Sequence, residues 1–170
     1  GRFFAKGLKP TEKLTNKTAI TNRETLLAGM DDKTKTQLYK LTDAEVGSYS
    51  PESQQGFMET VFNRAAIKGK PIKKIVEDSG YYQSIRVGGD GNVDNLEITN
   101  TQNDYSGILN SVVAGSNRTR GATHNLLLGS KDGDKWNTTY QGAKGTKVPI
   151  DREFYYSKTN EQEDINELLR

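Results

Sequence analysis

The chain has 170 residues, with 24 Lys and Arg against 22 Asp and Glu, one His and no Cys. This length fits one compact domain with a tail and is too short for two large domains. Without Cys the chain has no disulfide, thiolate nucleophile or Cys-ligated metal, and His124 as its single histidine excludes a His-rich metal site.

The first quarter of the chain is basic, although the net charge of the whole is only +2. Residues 1–40 contain nine bases and four acids, a net charge of +5, whereas residues 151–170 contain three bases and six acids, a net charge of −3. Few large apolar side chains occur in residues 1–22, so this stretch cannot bury enough surface to order itself. We predict an extended basic arm over residues 1–30, with room for a short helix from Asn22 to Gly29. A solvated tail explains the arm better than a tether to an anionic polymer.

The next segment predicts two helices joined by a short turn. In residues 33–46, apolar residues recur every three or four positions, which places Glu45 in the last turn beside the apolar stripe. A second helix begins with Ser50 as its N-cap and Pro51 in its first turn. Its buried face consists of Phe57, Met58, Val61, Phe62, Ala65 and Ala66.

The remaining segments predict smaller elements. Pro71 opens a short helix, and another helix runs over residues 104–115. Turn-forming residues over 80–103 predict a long loop or a small hairpin, of a kind that often binds a ligand. Residues 148–156 have β-type composition, and residues 160–169 predict a terminal helix. The fold class is therefore mainly α (α+β) with a small β and loop region, a main domain over 31–157 and an acidic C-terminal helix over 158–170.

Two further motifs are better explained as surface features. Residues 90–94 start like a calcium loop, but Asn95 stands where that loop needs Gly, and its twelfth position holds no Glu. A basic run over residues 64–74 lacks the interleaved aromatic residues of nucleic-acid modules. We therefore expect a solvated turn and a solvated face, with neither a metal nor a nucleic acid as a partner. A basic nucleic-acid-binding domain is kept only as the weakest alternative function.

Glu45 is the candidate for acid chemistry. It lies two residues before Gly47, at the junction of two predicted helices. Burial of a carboxyl at such a junction raises its pKa and keeps a proton available for a glycosidic leaving group near neutral pH. On this pattern alone, a Glu that pairs with a neighbouring Lys or caps the backbone is the more frequent outcome.

The segment around Glu45 resembles the opening motif of the SleB-type cell wall hydrolases, the spore cortex-lytic family. In that family a catalytic Glu ends one helix, a Gly-containing loop follows, and a second helix runs through a Gln to an Asn-Arg pair, as residues 45–64 do here without a gap. The resemblance continues in order through residues 70–76, 80–84, 121–125 and 150–156. It departs from the family at residues 46–49, at Tyr81, and at residues 151–153, where Asp-Arg-Glu replaces Gly-x-His.

The resemblance implies a lysozyme-like fold with a glycan-binding cleft, and cleavage of the MurNAc–GlcNAc bond of peptidoglycan. Relatives of this type act as lytic transglycosylases without a metal or organic cofactor. A single Glu, here Glu45, protonates the glycosidic oxygen and then deprotonates the sugar's own 6-hydroxyl, which yields a 1,6-anhydro sugar. The implied substrate contacts are Tyr82, Gln83 and Ser84, and more weakly Thr123, His124 and Tyr155, of which Tyr82 and Tyr155 are also candidates for the core. Gln54 and Asn63 are expected to bond backbone near the cleft.

Two alternatives stay open at this point. A hydrolytic muramidase (lysozyme) needs a second carboxylate about 5–9.5 Å from the first, and Glu52, Glu59, Asp78 and Asp90 are its candidates. A non-catalytic module for wall binding or virion assembly could keep the same scaffold, but a Glu preserved at the helix end argues against it.

The expected partner is the peptidoglycan glycan strand, so the expected site of action is the periplasm or cell wall. No run approaches the roughly 18 apolar residues of a membrane span, and the first residues lack the apolar region of a secretory signal. A missing signal suits a phage protein delivered by a virion or a holin, or a domain cut from a longer polypeptide.

Overall fold

The computed structural model describes residues 13–127 and 147–169. Within them the chain is mainly helical with one small antiparallel sheet, as the composition and patterning predict. The helices are α1 (Lys17–Ala28), α2 (Asp32–Val46), α3 (Pro51–Lys68), α4 (Ile72–Val76), α5 (Gln83–Val87), α6 (Tyr105–Val113) and α7 (Gln162–Leu169). The strands are β1 (His124–Leu127), β2 (Lys147–Ile150) and β3 (Glu153–Tyr156), and 3-10 turns occur at Val93–Asn95 and Thr159–Glu161.

Helix α3 lies at the centre of the molecule. The Ser50 side chain caps it by accepting from the Ser53 N–H, Pro51 occupies the first turn, and Gly69 ends it in the left-handed region at φ 62°. Nearly every side chain from residue 53 to residue 65 is buried. Helix α3 is buried all round because other elements pack against it on every side. These elements are α1, α2, α4, α6, α7 and all three strands.

The sheet places strand β3 between β1 and β2, with both pairs antiparallel. The first residue of β3, Glu153, lies opposite Leu127 of β1 on one side and Ile150 of β2 on the other. Tyr155 is fully buried, and its hydroxyl donates to the Ser53 carbonyl oxygen at 2.8 Å. This contact fastens β3 to the first turns of α3.

Residues 80–103 form an irregular loop that contains α5 and a 3-10 turn. The hairpin considered for this segment is wrong, because its residues are all described and none lies in a strand. In the segment that starts like a calcium loop, Asn92 Oδ1 accepts from the Asp94 N–H at 2.9 Å, so the asparagine closes a local turn.

The extended arm predicted for residues 1–30 is wrong in its second half, where residues 17–28 form α1. The composition of this segment did not indicate the full length of the helix, because the helix is anchored by a buried charged side chain, Arg23. The Arg23 guanidinium donates to the carbonyl oxygens of Val112 at 2.8 Å and Ser116 at 2.6 Å, and to Asn63 Oδ1 at 3.1 Å. Helix α1 therefore belongs to the main domain, while residues 1–12 of the predicted arm lie outside the described residues.

The C-terminal helix α7 occupies most of the segment predicted as acidic and helical. It packs against α3 and α1, with Ile165 fully buried. In the described ranges 13–127 and 147–169, no helix combines the length and apolar character needed to cross a bilayer.

Replacing Arg23 by Ala should lower the free energy of unfolding by about 3 kcal/mol, because three buried acceptors on α3, on α6 and just after α6 would lose their donor. Urea unfolding followed by circular dichroism measures this loss. Lys17→Ala, an exposed change on the same helix, is the control and should shift stability by less than about 0.5 kcal/mol. Equal stability of the two variants would show that α1 is not anchored through Arg23.

Candidate active site

Glu45 lies in the last turn of α2, where its half-buried side chain contacts the loop that carries α5. The Ser84 hydroxyl donates to Glu45 Oε2 at 2.9 Å. Burial raises the pKa of Glu45 above its ordinary value, against the opposing effects of the Ser84 hydrogen bond and the positive charges of Arg64 and Arg86. The structure therefore gives Glu45 the environment that its position in the sequence predicts.

The backbone around Gly47, just after Glu45, is held by a dense set of hydrogen bonds. The Asp43 carboxylate accepts from the Thr99 N–H at 2.9 Å, from the Asn100 N–H at 3.2 Å and from the Tyr105 hydroxyl. Burial would raise the pKa of Asp43, but these donors outweigh it and lower the pKa. Asn103 also donates to the Gly47 carbonyl oxygen at 2.7 Å. The loop is thereby fixed to the end of α2.

Gln54, on α3, also holds the turn that follows α2. Its side-chain amide donates to the carbonyl oxygens of Tyr49 at 3.0 Å and Gly47 at 3.3 Å. Asn63 similarly donates to the Ala122 carbonyl oxygen at 3.0 Å. Both residues bond the backbone, which is the role expected for them from the sequence.

Glu153, the first residue of β3, is a second buried carboxyl near Glu45 and is only 4% exposed. Its Oε1 accepts from the Asn125 side-chain amide at 3.2 Å, whereas its buried Oε2 has no hydrogen-bond partner among the described residues. Burial raises the pKa of Glu153 to about 7, the Asn125 bond opposes this shift, and the negative charge of Glu45 adds to it. The two carboxyls are therefore close enough to interact electrostatically.

Arg64 places a positive charge beside the same site. Its Nε and Nη2 donate to the Thr123 carbonyl oxygen at 3.1 and 2.6 Å, and its guanidinium lies over the rings of Tyr81 and Tyr82 at 4.6 and 5.2 Å. Arg64 Nη1 is buried and has no hydrogen-bond partner in the described part of the chain. The basic run expected on the surface therefore starts with a residue that is 4% exposed and faces inward.

Three predicted contact residues occupy different environments in and beside α5. Ser84 bonds Glu45 directly, and Gln83 is exposed in the preceding position. Tyr82 is 2% exposed and packs edge-on against Phe57, so its ring offers no free face for a sugar. Its hydroxyl, however, is buried without a hydrogen-bond partner among the described residues.

Thr123 and His124 lie where strand β1 begins, and the Thr123 carbonyl oxygen accepts from Arg64. The Thr123 hydroxyl lies 2.7 Å from His124 Nδ1 and donates to Glu161 Oε1 at 2.9 Å. Although His124 Nδ1 is 3.6 Å from Glu161, burial and the positive charges of Arg64, Lys158 and Lys68 lower the pKa of His124 to about 3. The imidazole is therefore neutral near pH 7, and its ring stacks on Tyr156. Tyr155, the last predicted contact residue, is fully buried and bonds Ser53, so it is a core residue.

The four acids considered as a second carboxylate have other environments. Glu59 is fully buried and accepts from the Ser116 hydroxyl at 2.6 Å, the Arg118 N–H at 3.0 Å, and the Thr119 N–H and hydroxyl at 3.0 and 2.8 Å. It therefore organises the turn after α6. Asp78 accepts from the Gly80 N–H at 2.8 Å in a local turn, and Glu52 and Asp90 are exposed.

Sequence reasoning missed Glu153 and the inward position of Arg64. One signal was visible in the sequence: Glu153 lies in the short run of β-type residues over 148–156. Nothing local indicated that the first residue of this strand would be buried and would interact electrostatically with Glu45. In the described residues no group of three His, Cys, Asp or Glu side chains is placed to hold a metal ion. The site is suited to proton transfer and to recognition of a polar ligand.

Replacing Gly47 by Ala should destabilise the protein by about 2 kcal/mol, because the new Cβ would lie 2.5 Å from the Asp43 carbonyl oxygen and 2.6 Å from Asn100 Nδ2. Gly29→Ala is the matched control at another helix end, since its Cβ would meet only ordinary contacts at 3.6 Å or more. That control should be neutral or stabilising by up to about 1 kcal/mol. Thermal unfolding compares the two, and a Gly47→Ala variant as stable as Gly29→Ala would contradict the close packing at Gly47.

The raised pKa of Glu153 predicts a pH-dependent stability. Between the ordinary value of 4.5 and about 7, the folded protein holds a proton that the unfolded chain has lost, so the stabilisation present at low pH disappears as the pH rises. Glu153→Gln should therefore be more stable than the parent at pH 8 by up to about 3 kcal/mol, given about 1.36 kcal/mol per pKa unit. The difference should vanish near pH 4.5.

Denaturant titrations at pH 4.5 and pH 8 measure this difference. Glu52→Gln, which changes an exposed carboxyl, should leave the pH dependence of stability unaltered. A constant offset between Glu153→Gln and the parent at both pH values would show that Glu153 titrates normally.

Comparisons with protein-family models, curated proteins and solved structures find no match to this chain. Conclusions about function therefore rest on the motifs in the sequence and on the chemistry of the residues around Glu45.

Proposed function

We propose that this protein cleaves the glycosidic bond between MurNAc and GlcNAc in peptidoglycan, with Glu45 as the proton donor. The observation that carries the proposal is the environment of Glu45 at the end of α2. Its carboxyl has a pKa raised by burial, and the Ser84 hydroxyl holds Oε2 in one orientation. A glycosidic oxygen is a poor leaving group until it is protonated, and a carboxyl whose pKa is raised holds its proton to higher pH than an ordinary carboxyl does.

The proposed reaction begins when Glu45 gives its proton to the bridging oxygen as the bond from that oxygen to C1 breaks. The resulting carboxylate can then take a proton from the hydroxyl that attacks C1. In the transglycosylase route implied by the sequence resemblance, this hydroxyl is the 6-hydroxyl of the same sugar, and the product is a 1,6-anhydro sugar. In a muramidase the attacking group is water, and a second carboxyl is required.

The unpartnered polar atoms around Glu45 support a polar, uncharged ligand such as a glycan. Arg64 Nη1 is a donor, the Tyr82 hydroxyl is both donor and acceptor, and Glu153 Oε2 is an acceptor when ionised. We place the sugar between the sheet that carries Glu153 and the segment that carries Gln83 and Ser84. This arrangement is the proposed lysozyme-like cleft, with peptidoglycan of the periplasm or cell wall as the substrate.

Replacing Glu45 by Gln should reduce cleavage of purified sacculi by at least about 10²-fold, because the amide cannot donate a proton to the leaving oxygen. The parent enzyme should lose activity as the pH rises through the raised pKa of Glu45, since only the protonated carboxyl is competent. Release of soluble muropeptides over a range of pH measures both effects.

Glu52→Gln is the control, because it makes the same chemical change at an exposed position. Circular dichroism should show that both variants keep the parent fold. Cleavage by Glu45→Gln within a few-fold of the parent would overturn the assignment. Binding of sacculi without any cleavage by the parent would instead identify a non-catalytic wall-binding module.

A further inference from the structure

A surface groove runs along helix α1, where α1 packs against α3. Its first half, about 390 Å³, lies beside the C-terminal end of α1 and is lined mainly by apolar groups, among them Leu26, Gly29, Ala65, Ala66 and Pro71. Its second half, about 300 Å³, lies beside the N-terminal end of α1 and includes Asp164 and Glu167 of α7. Asn22 and Ala66 line both halves, so the two halves form one continuous groove. A groove that is apolar at one end and acidic at the other fits a ligand that is both apolar and basic.

We propose that residues 1–12 of this chain bind in this groove, with Lys6 and Lys9 beside the acids of α7 and with Phe3 and Phe4 in the apolar half. Residues 1–12 lie outside the described residues. The groove, the position of Lys13 and the sequence of the segment carry the inference, which is independent of the activity proposed for Glu45. It gives the basic arm a binding surface on its own domain, in place of the solvated tail that composition predicts.

The sequence of residues 1–12 matches both halves of the groove. The segment contains three large apolar side chains, Phe3, Phe4 and Leu8. It also contains three bases and one acid, a net charge of +2. These side chains are too few to form a core of their own. They can still bury apolar surface against the folded domain, because the groove is already ordered before the segment binds.

The described chain begins beside the groove. Lys13 forms an antiparallel bridge with Ser116, and the Leu14 N–H donates to the Gly115 carbonyl oxygen at 2.6 Å. Leu14 is buried and lines a small cavity together with Asn22 and Ala66, the two residues that both halves of the groove share. The attachment point of residues 1–12 is therefore fixed close to the groove. A segment tethered there has a high effective concentration, so weak contacts are enough to keep it bound.

The length and direction of the segment agree with the groove. An extended chain spans about 3.3–3.6 Å per residue, so the stretch from Lys13 back to Phe3 reaches up to about 35 Å. The groove follows α1 from Thr18 to Gly29, a rise of about 17 Å at about 1.5 Å per residue. Starting from Lys13, the bases come before the two phenylalanines. Starting from the N-terminal end of α1, the acidic half likewise comes before the apolar half.

The charges that line the groove set the direction in which the segment binds. Asp164 and Glu167 are exposed, and neither forms an ion pair with another described residue. Lys70 is exposed at the apolar end, where it repels a base and favours an uncharged side chain. Exposed ion pairs are worth little by themselves. Burial of the phenylalanine rings therefore supplies most of the affinity, and the acids of α7 orient the segment.

The test uses a spin label on the full chain. Because the chain has no Cys, a single cysteine introduced at Ala5 carries a nitroxide at one defined position. In ¹⁵N-labelled protein, we expect the oxidised label to remove most of the intensity of the amide signals of groove residues Asn22, Thr25, Ala66 and Ile67, compared with the reduced label. An undocked segment would not broaden these four signals selectively.

Variants of the labelled chain test the two halves of the contact. Phe3→Ser with Phe4→Ser should abolish the selective broadening, because the rings supply the apolar burial. Asp164→Lys with Glu167→Lys should also reduce it strongly, and adding Lys6→Glu with Lys9→Glu should restore it by exchanging the charges. Glu24→Lys with Glu163→Lys is the matched control. It makes the same change in charge at two exposed acids that do not line the groove, and it should leave the broadening unchanged.

Each variant is read only when its other amide signals keep the parent positions, which shows that the fold is intact. Absence of selective broadening in the parent, or broadening that survives Phe3→Ser with Phe4→Ser, would overturn the proposal. Failure of the exchanged charges to restore the broadening would overturn the placement of Lys6 and Lys9. A mixture of spin-labelled chains with separate ¹⁵N-labelled chains should show no broadening of the groove signals. Broadening in that mixture that fades on dilution would identify a second copy as the occupant and overturn intramolecular docking.

Discussion

The buried polar side chains of α3 are the constraint on which the rest of the structure depends. Gln54 holds the turn after α2, Glu59 holds the turn after α6, Asn63 bonds the Ala122 carbonyl oxygen, and Arg64 bonds that of Thr123. A helix that is buried all round can bond many separate segments to one rigid element. Each bond is strong in this setting because leaving either partner unpaired in the core is costly.

Most buried charges of this fold are satisfied, and this sets the Glu45 cluster apart. Arg23 and Glu59 have several partners on α6 and in the turn that follows it, and Arg23 also donates to Asn63 on α3. Around Glu45, by contrast, Arg64 and Glu153 each keep an unpaired atom among the described residues. Such atoms each cost about 1–3 kcal/mol, so the stability lost at this site is the expected companion of a binding or catalytic role.

Local signals predict helices well where caps and apolar spacing agree. For α3, Ser50, Pro51 and the apolar face lead to the observed start of the helix, and the C-terminal position of Glu45 in α2 follows in the same way. Helix α1 was underestimated because its anchor is the buried Arg23, which composition counts as a surface charge. The sequence also did not decide whether the rings of Tyr82 and Tyr155 are buried, because tyrosine occurs both in cores and at surfaces.

The sequence by itself determined that a carboxyl ends a helix next to a tight, glycine-containing turn, because caps, periodicity and turn residues act over a few neighbouring positions. Only the tertiary structure decided which other carboxyl is buried and interacts electrostatically with it. Glu153 lies in the interior because β3 is the central strand and Tyr155 ties that strand to α3. Strand order and burial depend on contacts between residues far apart in the chain, so no local pattern encodes the burial of Glu153 or the rise in its pKa that this burial produces.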